Sequence, residues 1–391
     1  MLDNRMYNQT RIGLMIVTLA LLSSGCGSGL VTLRADELEA TAAQDQIFRV
    51  ADFGATGDGE TDDGPAIRRA VEAAVAAGPG ARVVFEDKVY RLGHKPSAIH
   101  HINLENVSGI HFEGNGALLL NNPRNAIFRL IGCSGVTVTG FQFDMHPLPF
   151  TQGTVVDADP DGKWFDMEVH SGYRCPVEEY EKHGYRVTPL QSTWGMFFDP
   201  IARHRKRGVE DHIRMIDVQA SPQEGAVRVF VNTHRSPAFV EAVKALDPGD
   251  RYVFPFSYRD AGDTVHMDGC SDCLFEDIEV YATNWGMTFR VIGSEGRNTF
   301  RRVFMGFRPD CYRLMSTASD GFHYKANRVG PIIEDCHFEG LLDDSINIGT
   351  TPSFIGKVEA PGVYRIRGES AHSFRAGDNV MVFTPDRAEV L

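Results

Sequence analysis

An all-β chain wound as a right-handed parallel β-helix, with a capping helix near its start and inserted β-barrel subdomains, is the fold this sequence predicts. Three observations carry that reading. From residue 82 onward short β-rich runs alternate with Gly, Asn and Ser, and the chain holds 39 glycines against 19 prolines, a turn-rich composition that helical bundles do not need. The runs repeat: SGIHFEGN at 108, SGVTVTGF at 134, SDCLFEDI at 271, RNTFRRVF at 297 and VGPIIEDC at 329 give steps of 26, 26 and 32 residues outside one long interruption. Each unit alternates apolar and polar residues, so it buries its apolar face only by stacking on a neighbour, as a solenoid of parallel strands requires.

The elements follow in order. Residues 1–27 carry Arg5 and Arg11, the apolar stretch Ile12–Leu22 and then SSGCG; the stretch is too short to span a bilayer and reads as an export signal. Cys26 is either a residue near a cleavage site or the acylated cysteine of a lipoprotein. Either way the expected location is extracytoplasmic: secreted, periplasmic or lipid-anchored, with Cys26 the only route to a membrane. Residues 47–146 read as the first part of the solenoid. Within them Ala66, Ile67, Ala70, Val71, Ala74 and Val75 recur at helical spacing, with Asp62 or Asp63 as N-cap and Pro65 in the first turn. A calcium site on Asp58, Glu60 and Asp62 is the alternative use of that acidic run.

The repeat breaks over 147–258, where TQGTVVDADPDGKWFDMEV and GAVRVFVNTH look like hairpin strands of an inserted barrel. It resumes over 259–350, the expected catalytic coils. From 351 to 391, KVEAPGVYRIRG and GDNVMVF read as the start of a second barrel-like insertion, and an uncapped solenoid end makes a longer parent protein the expectation.

Composition narrows the function. At 42% hydrophobic and 23% charged the chain supports a large core. A net charge of −13 and a pI near 5.5, with no basic stripe beyond the HRKR run at 204–207, argue against nucleic acid as a partner and offer nothing to a polyanion. A neutral sugar is the easier guest. Seven cysteines include one C-x-x-C, Cys270 to Cys273, without a second pair at zinc-site spacing, so no metal site is expected.

The segment SDGFHYKANRVGPIIEDCHFEGLLDDSINI, 319–348, poses the functional question. Asp320 and the pair Asp343 and Asp344 are separated by about one coil, so stacked turns bring them to one patch of the solenoid wall, and Asp320 falls in the longest turn. In an alternating strand Asp343 and Asp344 would face opposite sides, so a turn or bulge is needed to aim both at a ligand. Three close carboxylates hold at least one proton more tightly by mutual repulsion, leaving an acid beside ionised bases. That is the equipment of a glycoside hydrolase, which needs no cofactor. His323 and Asn347 are candidates to hydrogen-bond a sugar, Trp285 to form an apolar platform, and Asp144 to reach the pocket from the base of the first barrel; His266 and Arg290 rank below them. Each also has an ordinary structural use.

DFGATGDGETDDGPAI, 52–67, resembles the N-terminal signature of the pectin-lyase-like β-helix superfamily, and SDG at 319 and DDSINI at 343 are similar to the acidic motifs of its inverting hydrolases. An inserted barrel followed by LLDDSINI resembles glycoside hydrolase family 110. That resemblance implies an inverting exo-α-galactosidase acting on terminal α-1,3-linked galactose, with an oligosaccharide or polysaccharide substrate and a homodimer as the expected assembly. Carried over by position it makes Asp320 the candidate general acid and Asp343 with Asp344 the carboxylates that hold and deprotonate water, with exchange of roles the alternative. A polygalacturonase-like hydrolase is disfavoured because no Gly-His-Gly or Arg-Ile-Lys segment follows the acidic pair. No calcium and arginine arrangement of a lyase is visible, and a non-catalytic binding scaffold would have no use for the three acids.

Overall fold

Each coil of a β-helix must turn sharply between straight strands, and the corners fall where a left-handed backbone is cheap. After the strand ends Glu105, Ile131, Asp268, Ile292 and Lys325, which lie in one register column, come Asn106, Gly132, Gly269, Gly293 and Ala326, all at φ between 53° and 62°. Gly and Asn tolerate that region best. This is the physical content of the punctuation in the sequence. A computed structural model of the protein describes residues 46–95, 99–183, 194–256, 262–350, 352–368, 374–384 and 389–390. The proposed export signal and Cys26 lie outside them.

The corners separate two parallel sheets. One has 10 strands and runs along the path Ile47–Arg49, Arg82–Val84, His111–Asn121, Thr137–Met145, Leu274–Val280, Thr299–Met305 and Ile332–Glu334. The other stacks six: His100–Glu105, Ala126–Ile131, Val265–Asp268, Phe289–Ile292, Phe322–Lys325 and Ile346–Gly349. The repeats found in the sequence are successive strands of the first sheet, with His111 beside Thr137, Thr137 beside Leu274, Leu274 beside Thr299 and Thr299 beside Ile332. Between the sheets the core is a column of aromatics: Phe112, Phe128, Phe275, Phe289, Phe300 and Phe322 are fully buried, with Phe289 stacked on Phe322 at 5.1 Å. Burial of each such ring contributes about 1.5–3 kcal/mol.

The helix Gly64–Ala77 buries Ala66, Ile67, Ala70, Val71 and Ala74 against the first coils. Its N-cap is Asp63, but the Asp63 carboxylate accepts from the Thr56 and Gly57 amides instead of capping, while Asp62 Oδ1 accepts from Gly64 N at 3.1 Å and Gly93 N at 2.8 Å. Asp58 is likewise spent on the amides of Glu60 and Thr61. The acidic run is a loop lock that welds the helix start to the first coil.

The interruption is a closed antiparallel barrel of six strands, Phe150–Ala158, Trp164–Val169, Trp194–Phe198, Ile213–Ala220, Ala226–Val231 and Arg251–Pro255. Its core holds Phe165, Phe197, Tyr252 and Phe254. A third apolar cluster joins barrel to solenoid: Phe150, Trp194, Met196 and Phe198 from the barrel pack with Ala282, Leu314, Met315, Ala318 and Leu342 from the coils. Past residue 351 the described residues form two antiparallel pairs, Phe354–Ala360 with Val363–Arg367 and Phe383–Thr384 with Glu389–Val390.

Candidate active site

The long turn between Met305 and Phe322 is where the site is made, because both neighbours grip it. On the barrel side Leu314 N donates to Gln152 Oε1 at 2.9 Å, and Gln152 Nε2 and the Tyr173 hydroxyl donate to the Tyr312 carbonyl at 3.1 and 2.9 Å. On the solenoid side Ser316 N donates to the Gly340 carbonyl at 2.8 Å and Leu342 N to the Thr317 carbonyl at 3.1 Å. The turn therefore delivers Asp320 in a fixed place, and the same bonds fix the segment that carries Asp343 and Asp344.

Asp320 is buried, and its Oδ2 meets His323 Nδ1 at 2.6 Å. Gly321 N donates to the Asp344 carbonyl and Phe322 N to the Ser345 carbonyl, so Asp344 is the residue stacked beside Asp320. A Cβ on Gly321 would stand 2.6 Å from the Ser345 carbonyl oxygen, which explains the glycine of the SDG motif: only a bare backbone lets the two coils close. Asp343 and Asp344 sit in a bend just before the strand Ile346–Gly349, with Asp343 Oδ1 accepting from Asp344 N at 3.0 Å. The bend is the device that turns both toward one patch.

Asp320, Asp343 and Asp344 each place a carboxylate oxygen within 4.8 Å of the others, close enough for their charges to repel or for a cation to bridge them. Asp320 is buried, while Asp343 and Asp344 reach solvent, the Asp343 side chain being 37% exposed. Burial, and then the negative charge of Asp320, push the Asp343 carboxyl above its ordinary value; His212 opposes the rise. Asp343 and Asp344 line a cavity of about 430 Å³ whose other wall is the barrel, through Met196, Phe198, Arg203 and His212. That volume suits a small saccharide.

The remaining candidates divide. His323 and Asn347 are neighbours in register on the second sheet, three residues along their coils from Asp320 and Asp344, and Asn347 accepts a hydrogen bond from Lys325. His266 and Arg290 continue that column downward. Trp285 packs on Trp194, with ring centroids 5.3 Å apart, at the junction of barrel and coil. Asp144 is placed elsewhere: fully buried, it bonds Arg313 at 2.8 and 2.9 Å and Arg308 at 2.7 Å, and so fastens the long turn to the strand leading into the barrel. That is a structural task, which sequence spacing could not distinguish from a place in the pocket. Sequence reading also missed Asp211, His212 and Trp194, because nothing in a barrel hairpin signals that it faces a coil over a hundred residues away.

Fold and site together define a parallel β-helix protein that presents three converging carboxylates beside an inserted barrel. No family model matches the chain, but its sequence relatives are proteins named α-1,3-galactosidase. It is 25% identical over 347 residues to α-1,3-galactosidase B of Bacteroides thetaiotaomicron, covering 82% of this chain and 53% of that one. It is 21% identical over 375 residues to α-1,3-galactosidase B of Bacteroides fragilis, covering 89% and 61%. It is 23% identical over 351 residues to α-1,3-galactosidase A of Streptomyces avermitilis, covering 80% and 53%. The chain thus spans a little over half the length of these curated relatives. Among solved structures, the A-module of a mannuronan C-5 epimerase from Azotobacter vinelandii is similar at 13% identity and a TM-score of 0.24, covering 78% of this chain and 74% of that one.

Proposed function

We propose that the protein is an exo-acting glycoside hydrolase that removes terminal α-1,3-linked galactose, working outside the cytoplasm. The convergence of Asp320, Asp343 and Asp344 within 4.8 Å, with Asp343 and Asp344 lining a cavity, carries the reading, and the names of the relatives supply the sugar. Hydrolysis of a glycoside needs one carboxyl that arrives protonated and one that arrives ionised. Asp343, whose proton is held by burial and by its acidic neighbour, is the general acid on this account, the reverse of the assignment by resemblance. Asp320 and Asp344 are then the carboxylates that orient and deprotonate water. His323, bonded to Asp320 at 2.6 Å, keeps that carboxylate aimed.

The resemblance to inverting enzymes implies that galactose leaves with inverted configuration. Retention is the second reading, favoured by one observation: the three carboxylates crowd together, each with an oxygen within 4.8 Å of the others, and retaining enzymes are the class with the closer-set pair. The reaction class is tested by incubating the protein with α-1,3-, α-1,4- and α-1,6-linked galactosyl disaccharides and with polygalacturonate. Galactose from the α-1,3 compound alone is expected. Release of galacturonate, or no release from any of the four, overturns the proposal.

A further inference from the structure

The barrel brings its own polar pair to the cavity. Asp211 and His212 immediately precede the barrel strand Ile213–Ala220, and His212 adopts a left-handed backbone at φ 49°, a conformation unfavourable for a residue with a side chain. Its ring is fixed on two sides. Nδ1 lies 3.0 Å from Asp211 Oδ1, and the Trp194 ring packs edge-on against it with centroids 4.0 Å apart. The hydrogen bond with His212 holds the Asp211 carboxyl below the usual carboxylate range, so Asp211 Oδ1 accepts from Nδ1–H, and in that tautomer Nε2 is the acceptor. The two ring nitrogens diverge, and Nε2 lies 4.0 Å from Asp343 Oδ2. That gap is too long for a hydrogen bond, and an oxygen atom set about 2 Å to one side of the line between the two lies about 2.8 Å from both. His212, Asp343 and Asp344 line the same cavity.

We propose that the barrel completes the sugar site: His212 Nε2 accepts a hydrogen bond from a hydroxyl of the bound galactosyl unit, whose oxygen sits beside the imidazole and Asp343, within reach of both. His212 is then a specificity-determining contact, Asp211 fixes its tautomer, and Trp194 fixes its plane. A sugar lacking that hydroxyl, or carrying it inverted, loses the bond. The inference rests on the hydrolase reading and adds a residue from outside the solenoid to it.

The test uses the full chain. Kinetics on an α-1,3-galactosyl disaccharide and calorimetric binding of free galactose are measured for the unaltered protein, His212→Asn and Asp211→Asn; Asn tolerates the left-handed backbone, and circular dichroism checks the fold. For His212→Asn, KM and the galactose dissociation constant rise about five- to tenfold while kcat stays within about threefold, the pattern of a lost ground-state hydrogen bond. Asp211→Asn moves both constants in the same direction by less. In the unaltered protein, galactose shifts the His212 Nε2 resonance in a long-range proton–nitrogen NMR spectrum. A folded His212→Asn with unchanged KM and galactose affinity sinks the inference and leaves the hydrolase standing. An unaltered protein that neither cleaves the disaccharide nor binds galactose sinks both.

Discussion

Two turns of the solenoid carry the same four-residue spacing, Asp263 to His266 and Asp320 to His323, and only one of them meets other acids. In each the aspartate Oδ2 contacts Nδ1 of the histidine three residues on, at 3.1 Å in the lower turn and 2.6 Å in the upper. Both histidines lie in one column on the outer face of the sheet, with Arg290 between them and Asn347 above. What differs is the neighbour stacked above the aspartate. Asp263 lies below Met287, whose amide donates to it at 3.1 Å, and Arg290 stands 3.8 Å away. Asp320 lies below Asp344, in carboxylate company. The Asp–His pair is therefore a feature of the coil, and chemistry is added by the acidic bend in the coil that follows.

Removing that bend's acids sharpens the contrast most. Asp343→Asn, Asp320→Asn and Asp344→Asn should each lower turnover at least about a hundredfold, the range expected for a general acid or base, with circular dichroism unchanged. Asp263→Asn, the same substitution in the lower turn, should leave turnover within about twofold because it touches no reacting group. Equal losses from Asp263→Asn and Asp320→Asn would erase the distinction.

A second contrast lies one residue further on. Thr264 and Thr288 occupy in the lower coils the place that Gly321 holds in the upper, as their matching backbone bonds show. Gly321→Ala pushes a methyl against the Ser345 carbonyl, separating Asp320 from Asp344; turnover should fall about tenfold or more, since small misplacements of catalytic groups are costly, with a lower Tm. By the same logic His323→Gln should lower kcat about tenfold, while His266→Gln, far from the acids, should stay near the unaltered value. Initial rates on one disaccharide rank all three.

The smallest effect is on stability. The native Asp343 carboxyl keeps its proton at pH values where the unfolded chain's is ionised. The native state then binds more protons, and stability falls as pH rises from the ordinary carboxylate value of 3.8 through Asp343's raised one. Asp343→Asn should therefore raise Tm at pH 7 by about 1–2 °C, and the gain should vanish below about pH 4. A Tm gain equal at pH 3.5 and pH 7 would show that the carboxyl is not under strain.

Much of this was readable from the chain because a solenoid repeats its physics: the step of 26 residues located the strands, and one coil of separation placed Asp320 near the acidic pair. The exact register was not legible: Asp344 is the member of the pair that stacks on Asp320. Asp144 was misplaced for a different reason, its two arginines lying in a turn 164 and 169 residues later. His212 was invisible because contacts between a barrel and a coil leave no periodic trace. Local pattern encodes the ladder; long-range closure encodes the pocket.

Proton NMR of the full chain acting on an α-1,3-linked galactosyl disaccharide, with Asp343→Asn alongside, tests the central claim most directly. Galactose appearing first as the β anomer, and absent from the variant, is the expected result; the α anomer first would keep the three aspartates catalytic but assign them a retaining mechanism. No galactose from the unaltered protein, or equal release from Asp343→Asn, would contradict the account.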